Sequence, residues 1–159
     1  MSTRSYIAKK TNTGYVGVYC HFDGYPSHHM PILQGHYLDE AKVNELLDLG
    51  SLSVLAPEIG SEHNFDNHIT THPEWCLSYH RDRGEKFSLH QADSLQSLMK
   101  YADENWAEYL YVYENGYWMV HNMRIRPDQV FVEQYSDEAK YKIAQSLLVA
   151  ALGSEDFGK

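Results

Sequence analysis

The most specific chemical feature of the sequence is a His-x-Asp tripeptide that follows two different predicted strands. His21-Phe-Asp23 comes after the first of these strands and His80-Arg-Asp82 after the second. In an extended chain, residues two apart point to the same side. If the strands were neighbours, two imidazoles and two carboxylates would converge, and these ligands suit a divalent transition metal. The pattern therefore predicts a metal site of His21, Asp23, His80 and Asp82, as in a hydrolase that activates water.

The same four residues also have an interpretation without metal. Asp23 and Asp82 each lie at a predicted turn, where Asp is favoured because it bonds backbone amides. His21 and His80 would then be half-buried strand residues with one hydrogen bond each. Adjacency of the two strands decides between these alternatives.

A second histidine group lies in residues 58–74, a polar stretch that is predicted to be a long loop. It consists of His63, Asp66, His68 and His72. His68 and His72 have the i, i+4 spacing of zinc helices, but no Glu follows His68 and Pro73 disfavours helix at His72. We interpret this stretch as a solvated polar loop.

Negative charge is concentrated in the first half of the chain. Residues 11–80 contain one base, Lys42, against nine acids, which gives −8 of the protein's net charge of −9. Such a field repels nucleic-acid phosphate and attracts basic partners or cations. Direct nucleic-acid binding is therefore disfavoured, except at a local basic patch of Arg81, Arg83 and Lys86. The acidic half is interpreted either as a solvated surface or as a face for a basic partner or a metal.

The chain contains 13 tyrosines, and three of them alternate along one predicted strand. A tyrosine face gives contact area at low entropic cost, as protein-recognition surfaces require. It could equally cover a ligand cleft or face the core. With the motif residues, this face completes the set of predicted binding residues. They are Tyr19, His21, Asp23, Tyr25, Tyr79, His80, Arg81, Asp82, Arg83, Tyr109, Tyr111 and Tyr113.

Residue patterning predicts strands and helices that do not alternate regularly. Strands are expected over residues 3–9, 15–22, 75–80, 109–113, 117–121 and 129–133, and helices over 27–37, 39–50, 94–103 and 136–153. The Asn115-Gly116 pair is a strong hairpin signal. We expect an α+β fold, with a mostly antiparallel sheet of about five to six strands and about three to four helices. Residues 1–153 would form a single compact domain, and 154–159 a flexible tail.

Several functional classes lack their sequence signatures. No apolar stretch is long enough to span a membrane, and the N-terminus lacks the apolar core of a signal peptide. Two cysteines are too few for a disulfide framework and fit a reducing cytoplasm. The sequence contains neither Gly-x-Ser-x-Gly nor a phosphate-binding glycine loop, which favours a binding protein over an enzyme.

Two longer motifs carry a resemblance. Tyr19-Cys-His-Phe-Asp-Gly-Tyr-Pro26 and Tyr79-His-Arg-Asp-Arg-Gly-Glu85 make the chain similar to a family of small uncharacterised proteins of bacteria, phages and prophages. The resemblance implies a small accessory protein in the cytoplasm of a bacterial cell. It implies no catalytic residues.

These observations lead to one main expectation and two alternatives. The main expectation is an acidic accessory protein of phage or prophage type that binds a host macromolecule through acidic and tyrosine-rich surfaces. An inhibitor of a defence or nucleic-acid-handling protein is its concrete form. The alternatives are a metal-dependent hydrolase and a protein that sequesters a small ligand; a homo-oligomer is left open, and no membrane partner is expected.

Overall fold

The chain begins with a hairpin whose turn is formed by the polar residues Asn12 and Thr13. In the computed structural model, which describes residues 2–123, β1 (Ser5–Thr11) pairs antiparallel with β2 (Gly14–Cys20). The predicted hairpin is confirmed, with strand ends displaced by one or two residues. Polar residues and Gly14 between two runs of β-formers are sufficient to specify it.

Five helices and five further strands follow. They are α1 (Pro26–His36), α2 (Glu40–Leu47), β3 (Leu52–Val54), α3 (His68–Thr71), β4 (Leu77–Ser78), α4 (Tyr79–Arg83), β5 (His90–Ala92), α5 (Leu95–Glu104), β6 (Tyr109–Glu114) and β7 (Tyr117–Asn122).

The strands form one mixed sheet in the order β4-β3-β2-β1-β6-β7, and β5 also pairs with β2. The β1–β6 and β2–β3 pairings are parallel, and the other four are antiparallel. The expected α+β class is confirmed. The described residues form one α+β domain, and the predicted strand 129–133, helix 136–153 and tail 154–159 lie outside them.

Apolar side chains cover both faces of the central strands. On one face, Ile7 and Val18 pack with Leu33 of α1 and Leu46 of α2. The opposite face carries a smaller cluster, which includes Tyr6, Ala8, Leu98 of α5 and Leu110. Because successive strand residues alternate between faces, both faces are buried over the first four residues of β1 and the first five of β6.

The tyrosines of β6 belong to the core. Tyr109, Tyr111 and Tyr113 are at most 5% exposed. The Tyr111 hydroxyl donates to the Gly24 carbonyl at 2.5 Å, and the Tyr113 hydroxyl donates to the Leu38 carbonyl at 2.6 Å. The expected binding surface of these three tyrosines is wrong, and the core alternative is confirmed. The reason is that β6 pairs with β1 on one side and β7 on the other, and the Tyr111 ring lies 5.1 Å from the His29 ring of α1.

The second motif lies on a helix and not at the end of a long strand. The predicted strand 75–80 is reduced to Leu77–Ser78, after which α4 begins. The Ser78 hydroxyl caps this helix by accepting a bond from the Arg81 amide, and Gly84 ends it with a φ of 75°.

The three predicted helices that fall within residues 2–123 form close to their expected positions. The α1 helix spans Pro26–His36 despite an internal Pro31, and α2 follows Asp39 as expected. Ser94 caps α5 in a reciprocal capping box with Ser97. In the part of the chain that the structure describes, no helix has the length and apolar character needed to cross a bilayer.

The Tyr111 hydroxyl bond predicts a measurable contribution to stability. Tyr111→Phe should lower the free energy of unfolding by about 1–2 kcal/mol, because the buried Gly24 carbonyl loses this donor. Urea unfolding measures the change, with Tyr117→Phe as control because Tyr117 is 50% exposed. Equal stabilities of the two variants would contradict the prediction.

Candidate functional site

The two His-x-Asp motifs lie at the same end of the sheet but are separated by a strand. His21 follows β2, whereas His80 and Asp82 lie on α4, directly after β4. In the sheet order β3 stands between β2 and β4, and the His21 amide donates to the Leu52 carbonyl of β3 at 2.9 Å. The two predicted strands are therefore second neighbours.

The predicted metal site is wrong. Residues two apart on a helix point roughly 200° apart, so His80 and Asp82 cannot face one ion as they would on a strand. His80 Nδ1 donates to the Glu85 carbonyl at 2.8 Å, while His21 Nδ1 lies 2.6 Å from the Tyr19 hydroxyl. Among residues 2–123, no three His, Cys, Asp or Glu side chains are arranged to hold a metal.

The first motif is held by bonds among its own residues. The Tyr25 hydroxyl donates to Asp23 Oδ1 at 3.4 Å, and Tyr19 packs edge-on against Tyr6. Tyr19 and Tyr25 are both half-buried, and burial raises the pKa of each phenol. These residues form a partly covered polar rim at the end of β2.

Asp82 is a buried anchor in the second motif. Its carboxylate is fully sealed from water. Oδ2 accepts the Ser78 amide at 2.8 Å, and Oδ1 accepts the His63 amide at 3.2 Å and Arg81 Nε at 2.9 Å. This is the turn-type bonding of Asp to backbone amides that was the alternative to metal binding.

Arg81 ties together the two ends of the 58–74 loop. One terminal nitrogen of its guanidinium donates to the Ile59 carbonyl at 2.8 Å, and the other donates to the Cys76 carbonyl at 2.8 Å. The Glu58 amide also donates to the Glu74 carbonyl at 3.0 Å. The loop is therefore closed at its base, and Arg81, which was predicted to bind a partner, is bonded within the protein.

The interior of the loop is filled by a histidine cluster of His63, His68, His72 and Trp75. The His72 ring stacks on the Trp75 indole at 3.9 Å and 16°. The His63 ring centroid lies 5.1 Å from those of His68 and His72 and 5.3 Å from that of Trp75. His68 is only 4% exposed, so the interpretation of a solvated polar loop holds for most of residues 58–74 but not for this histidine.

A glycine allows this packing. Gly60 has a φ of 68°, and a Cβ added there would lie 2.4 Å from the Trp75 ring. Only glycine combines this left-handed backbone with so close an approach to the indole.

The hydrogen bonds fix the tautomers of His63 and His68. His63 Nδ1 lies 2.7 Å from the Ser61 carbonyl, which can only accept, so Nδ1 carries the proton. His63 Nε2 must then accept the bond from His68 Nδ1 at 2.9 Å. Burial lowers the pKa of His68, and the neighbouring His63 lowers it further, against the opposing effect of Asp82.

The loop also carries exposed carboxylates. Glu58, Glu62, Asp66 and Glu74 are all exposed. Glu58 lies 4.0 Å from the Lys42 ammonium. For the other three, no salt bridge with a described base is formed within 4.0 Å. We call these four residues the acidic loop surface.

An open cleft of about 820 Å³ lies between residues 62–66 of the loop and residues 80–84, which comprise most of α4 and its terminal glycine. At its rim, the Arg83 guanidinium covers the Phe65 ring at 4.5 Å and the Tyr79 ring at 4.9 Å. Arg83 also pairs with Glu85. The cleft thus mixes acidic, basic and aromatic groups, and of the predicted binding residues it brings together His80, Arg81, Asp82 and Arg83, with Tyr79 at the rim.

The sequence analysis did not predict a buried chain of hydrogen-bonded polar side chains that joins β1 to α1. His29 Nε2 lies 3.2 Å from Ser5 Oγ, and His29 Nδ1 lies 2.9 Å from His28 Nδ1. Ser5 and His29 are both fully buried, so this serine is not accessible to a substrate. The only sequence signal was the His28-His29 pair inside an apolar helix.

The buried imidazole predicts a pH-dependent stability. Burial and the neighbouring His28 hold the pKa of His29 well below its ordinary value. Its contribution is complete above about pH 6.5, where the unfolded imidazole is neutral, and is lost as the pH falls, because only the unfolded chain then takes up the proton.

Urea unfolding between about pH 7.5 and pH 5.5 checks this expectation. The free energy of unfolding should fall, and His29 alone should contribute a slope of up to about 1.4 kcal/mol per pH unit. His29→Gln should flatten the dependence, whereas His36→Gln, at an exposed position, should leave it unchanged. An unaltered slope in His29→Gln would refute this role.

The buried carboxylate of Asp82 predicts a second stability difference. Asp82→Asn should lower the free energy of unfolding by about 2 kcal/mol, because Arg81 loses its charged partner in a site closed to water. The matched control is Asp66→Asn, an exposed carboxylate of the same loop, which should change stability by less than about 0.5 kcal/mol. Similar losses in both variants would show that Asp82 is not an anchor.

Comparison with known proteins gives no match to a family model, a curated protein or a solved structure. What the site does must therefore follow from its own geometry and charge.

Proposed function

We propose that this protein is a binding protein that docks a basic protein partner on its acidic loop surface. The observation that carries the proposal is the exposure of Glu58, Glu62, Asp66 and Glu74 on a loop that contains no lysine or arginine. Carboxylates of one sign on one segment attract cationic surfaces and raise the rate of association.

The loop also presents an apolar side chain among its acids. Ile69, in the short helix α3, is 78% exposed. Specific protein interfaces commonly bury an apolar centre inside a polar rim, and a small number of such anchors provides most of the affinity. Ile69 supplies this centre, and Asp66 precedes it by three residues.

The rigid base of the loop favours binding further. Arg81, Asp82 and the histidine cluster hold the loop by hydrogen bonds and ring stacking, as described above. A surface ordered before association loses less conformational entropy on binding. Because the loop is already ordered, less of the free energy gained from its charge interactions is offset by ordering it on binding.

The partner that fits best is a cytoplasmic protein with a basic nucleic-acid-binding groove. An acidic protein can occupy such a groove in place of phosphate, which would make this chain an inhibitor. The resemblance to small proteins of phages and prophages supports a host defence or nucleic-acid-handling protein as the target. This form of the proposal uses the acidic loop surface and not the buried tyrosines of β6.

A defined cationic probe tests the proposal. Fluorescence anisotropy of a labelled decalysine peptide should show binding at low salt that weakens as salt rises. The triple variant Glu62→Gln, Asp66→Asn and Glu74→Gln should weaken binding about tenfold, a loss of roughly 1.4 kcal/mol.

The control is the triple variant Asp93→Asn, Asp103→Asn and Glu104→Gln, which changes the net charge equally at exposed positions around α5. It should weaken binding by less than about threefold, because these acids lie outside the loop. If both variants bind equally, the attraction belongs to the total charge and the proposed surface is refuted. The proposal also fails if the unmodified protein does not bind.

A further inference from the structure

We infer that the histidine cluster regulates the acidic loop surface, so that a basic partner binds at neutral pH and is released in acid. This inference rests on the proposed function and adds a control to it. It concerns His63, His68 and His72, which lie in the same loop as the four carboxylates.

The hydrogen bond between His63 and His68 limits how many protons the pair accepts. In the neutral pair one nitrogen donates and the other accepts across 2.9 Å. One added proton preserves this bond, since one of the two rings still offers a lone pair. A second proton places two N–H groups face to face, and the bond becomes a repulsion.

Negatively and positively charged groups surround the His63–His68 pair. Asp82 Oδ1 of α4 lies 3.5 Å from His63 Nδ1 and raises the pKa of His68, although Arg81 already neutralises much of its charge. His72 lies 5.1 Å from His63 and repels further protons, whereas Glu74 attracts them. The pair therefore takes up its first proton more readily than its second.

Protonation also changes the charge that the partner meets. With neutral histidines, residues 58–74 carry four carboxylates and no base, a charge of −4. Each proton that the histidine cluster takes up removes one unit of this negative charge. Between about pH 7.5 and pH 5 carboxylates and lysines keep their usual charges, so histidine is the side chain whose ordinary titration falls in this range.

Loss of the His63–His68 hydrogen bond also weakens binding of the basic partner. This bond joins α3 to the 61–63 segment and lies beside the stack of His72 on Trp75. When it breaks, the segment that carries Asp66 and Ile69 loses one of its internal supports. Binding then weakens through both lower charge and poorer ordering.

Nitrogen NMR of the unmodified protein tests the pair without any partner. Two-bond ¹⁵N–¹H spectra should show His63 and His68 both as Nδ1–H tautomers near pH 7.5. On acidification, the two rings should titrate in separate steps. Nε2–H tautomers, or two independent and identical titrations, would overturn the inference.

Binding of the decalysine probe tests the regulation. Affinity should be about tenfold weaker near pH 5 than near pH 7.5, a difference of roughly 1.4 kcal/mol. His68→Gln keeps an N–H donor for His63 but does not titrate, so it should reduce the difference to less than about threefold. His36→Gln, an exposed histidine of α1, is the control and should retain the full difference.

The outcomes separate the two proposals. If the peptide binds with the same affinity at both pH values, the regulation is refuted and the docking surface stands. If the peptide binds at neither pH, the docking surface fails, and with it the regulation of docking. In that case the NMR tautomers describe how the His63–His68 pair is protonated and do not bear on docking.

Discussion

The side-chain closure of the 58–74 loop depends on the Arg81–Asp82 ion pair, because Arg81 bonds both ends of the loop. Asp82 orients Arg81, and Arg81 holds a carbonyl before the loop interior and another after it. Burying a charged pair is costly unless its remaining hydrogen-bonding groups find partners. Here the Ser78 and His63 amides and the Ile59 and Cys76 carbonyls supply them. The pair therefore converts a polar segment, which has few apolar residues to bury, into an ordered surface.

Local chemistry made much of the fold predictable. The first hairpin, the helix predicted over residues 94–103 and the Asn115-Gly116 hairpin are each specified by a few neighbouring residues, and each forms close to its expected position. The parallel pairing of β1 with β6 was not predictable in this way, since it joins residues about a hundred positions apart in the chain. That pairing decides where β6 lies. An aromatic strand looks the same in sequence whether its tyrosines contact a partner or α1.

In the candidate site, too, the residue pattern did not determine the structure that the residues adopt. A His-x-Asp motif places its two side chains on the same side of a strand but on nearly opposite sides of a helix. The second motif lies on α4, which Ser78 caps. Asp82 then bonds backbone amides, while His80 points elsewhere. The three histidines of the loop were visible in the sequence, but their packing on Trp75 was not predicted, because Trp75 was assigned to a strand. The visible signals of the cluster were three histidines, Gly60 and a tryptophan within one segment that lacks bases.

Imidazoles give this loop a property that an apolar interior would lack. A small hydrophobic cluster would hold residues 58–74 at any pH between about 5 and 8, because its packing carries no titratable group. His63, His68 and His72 take the place of that cluster, and in this segment they are also the only side chains that can gain positive charge at such pH values. Order and charge in the loop are therefore coupled through the same protons. A surface built in this way cannot keep its full negative field once its own interior has been protonated.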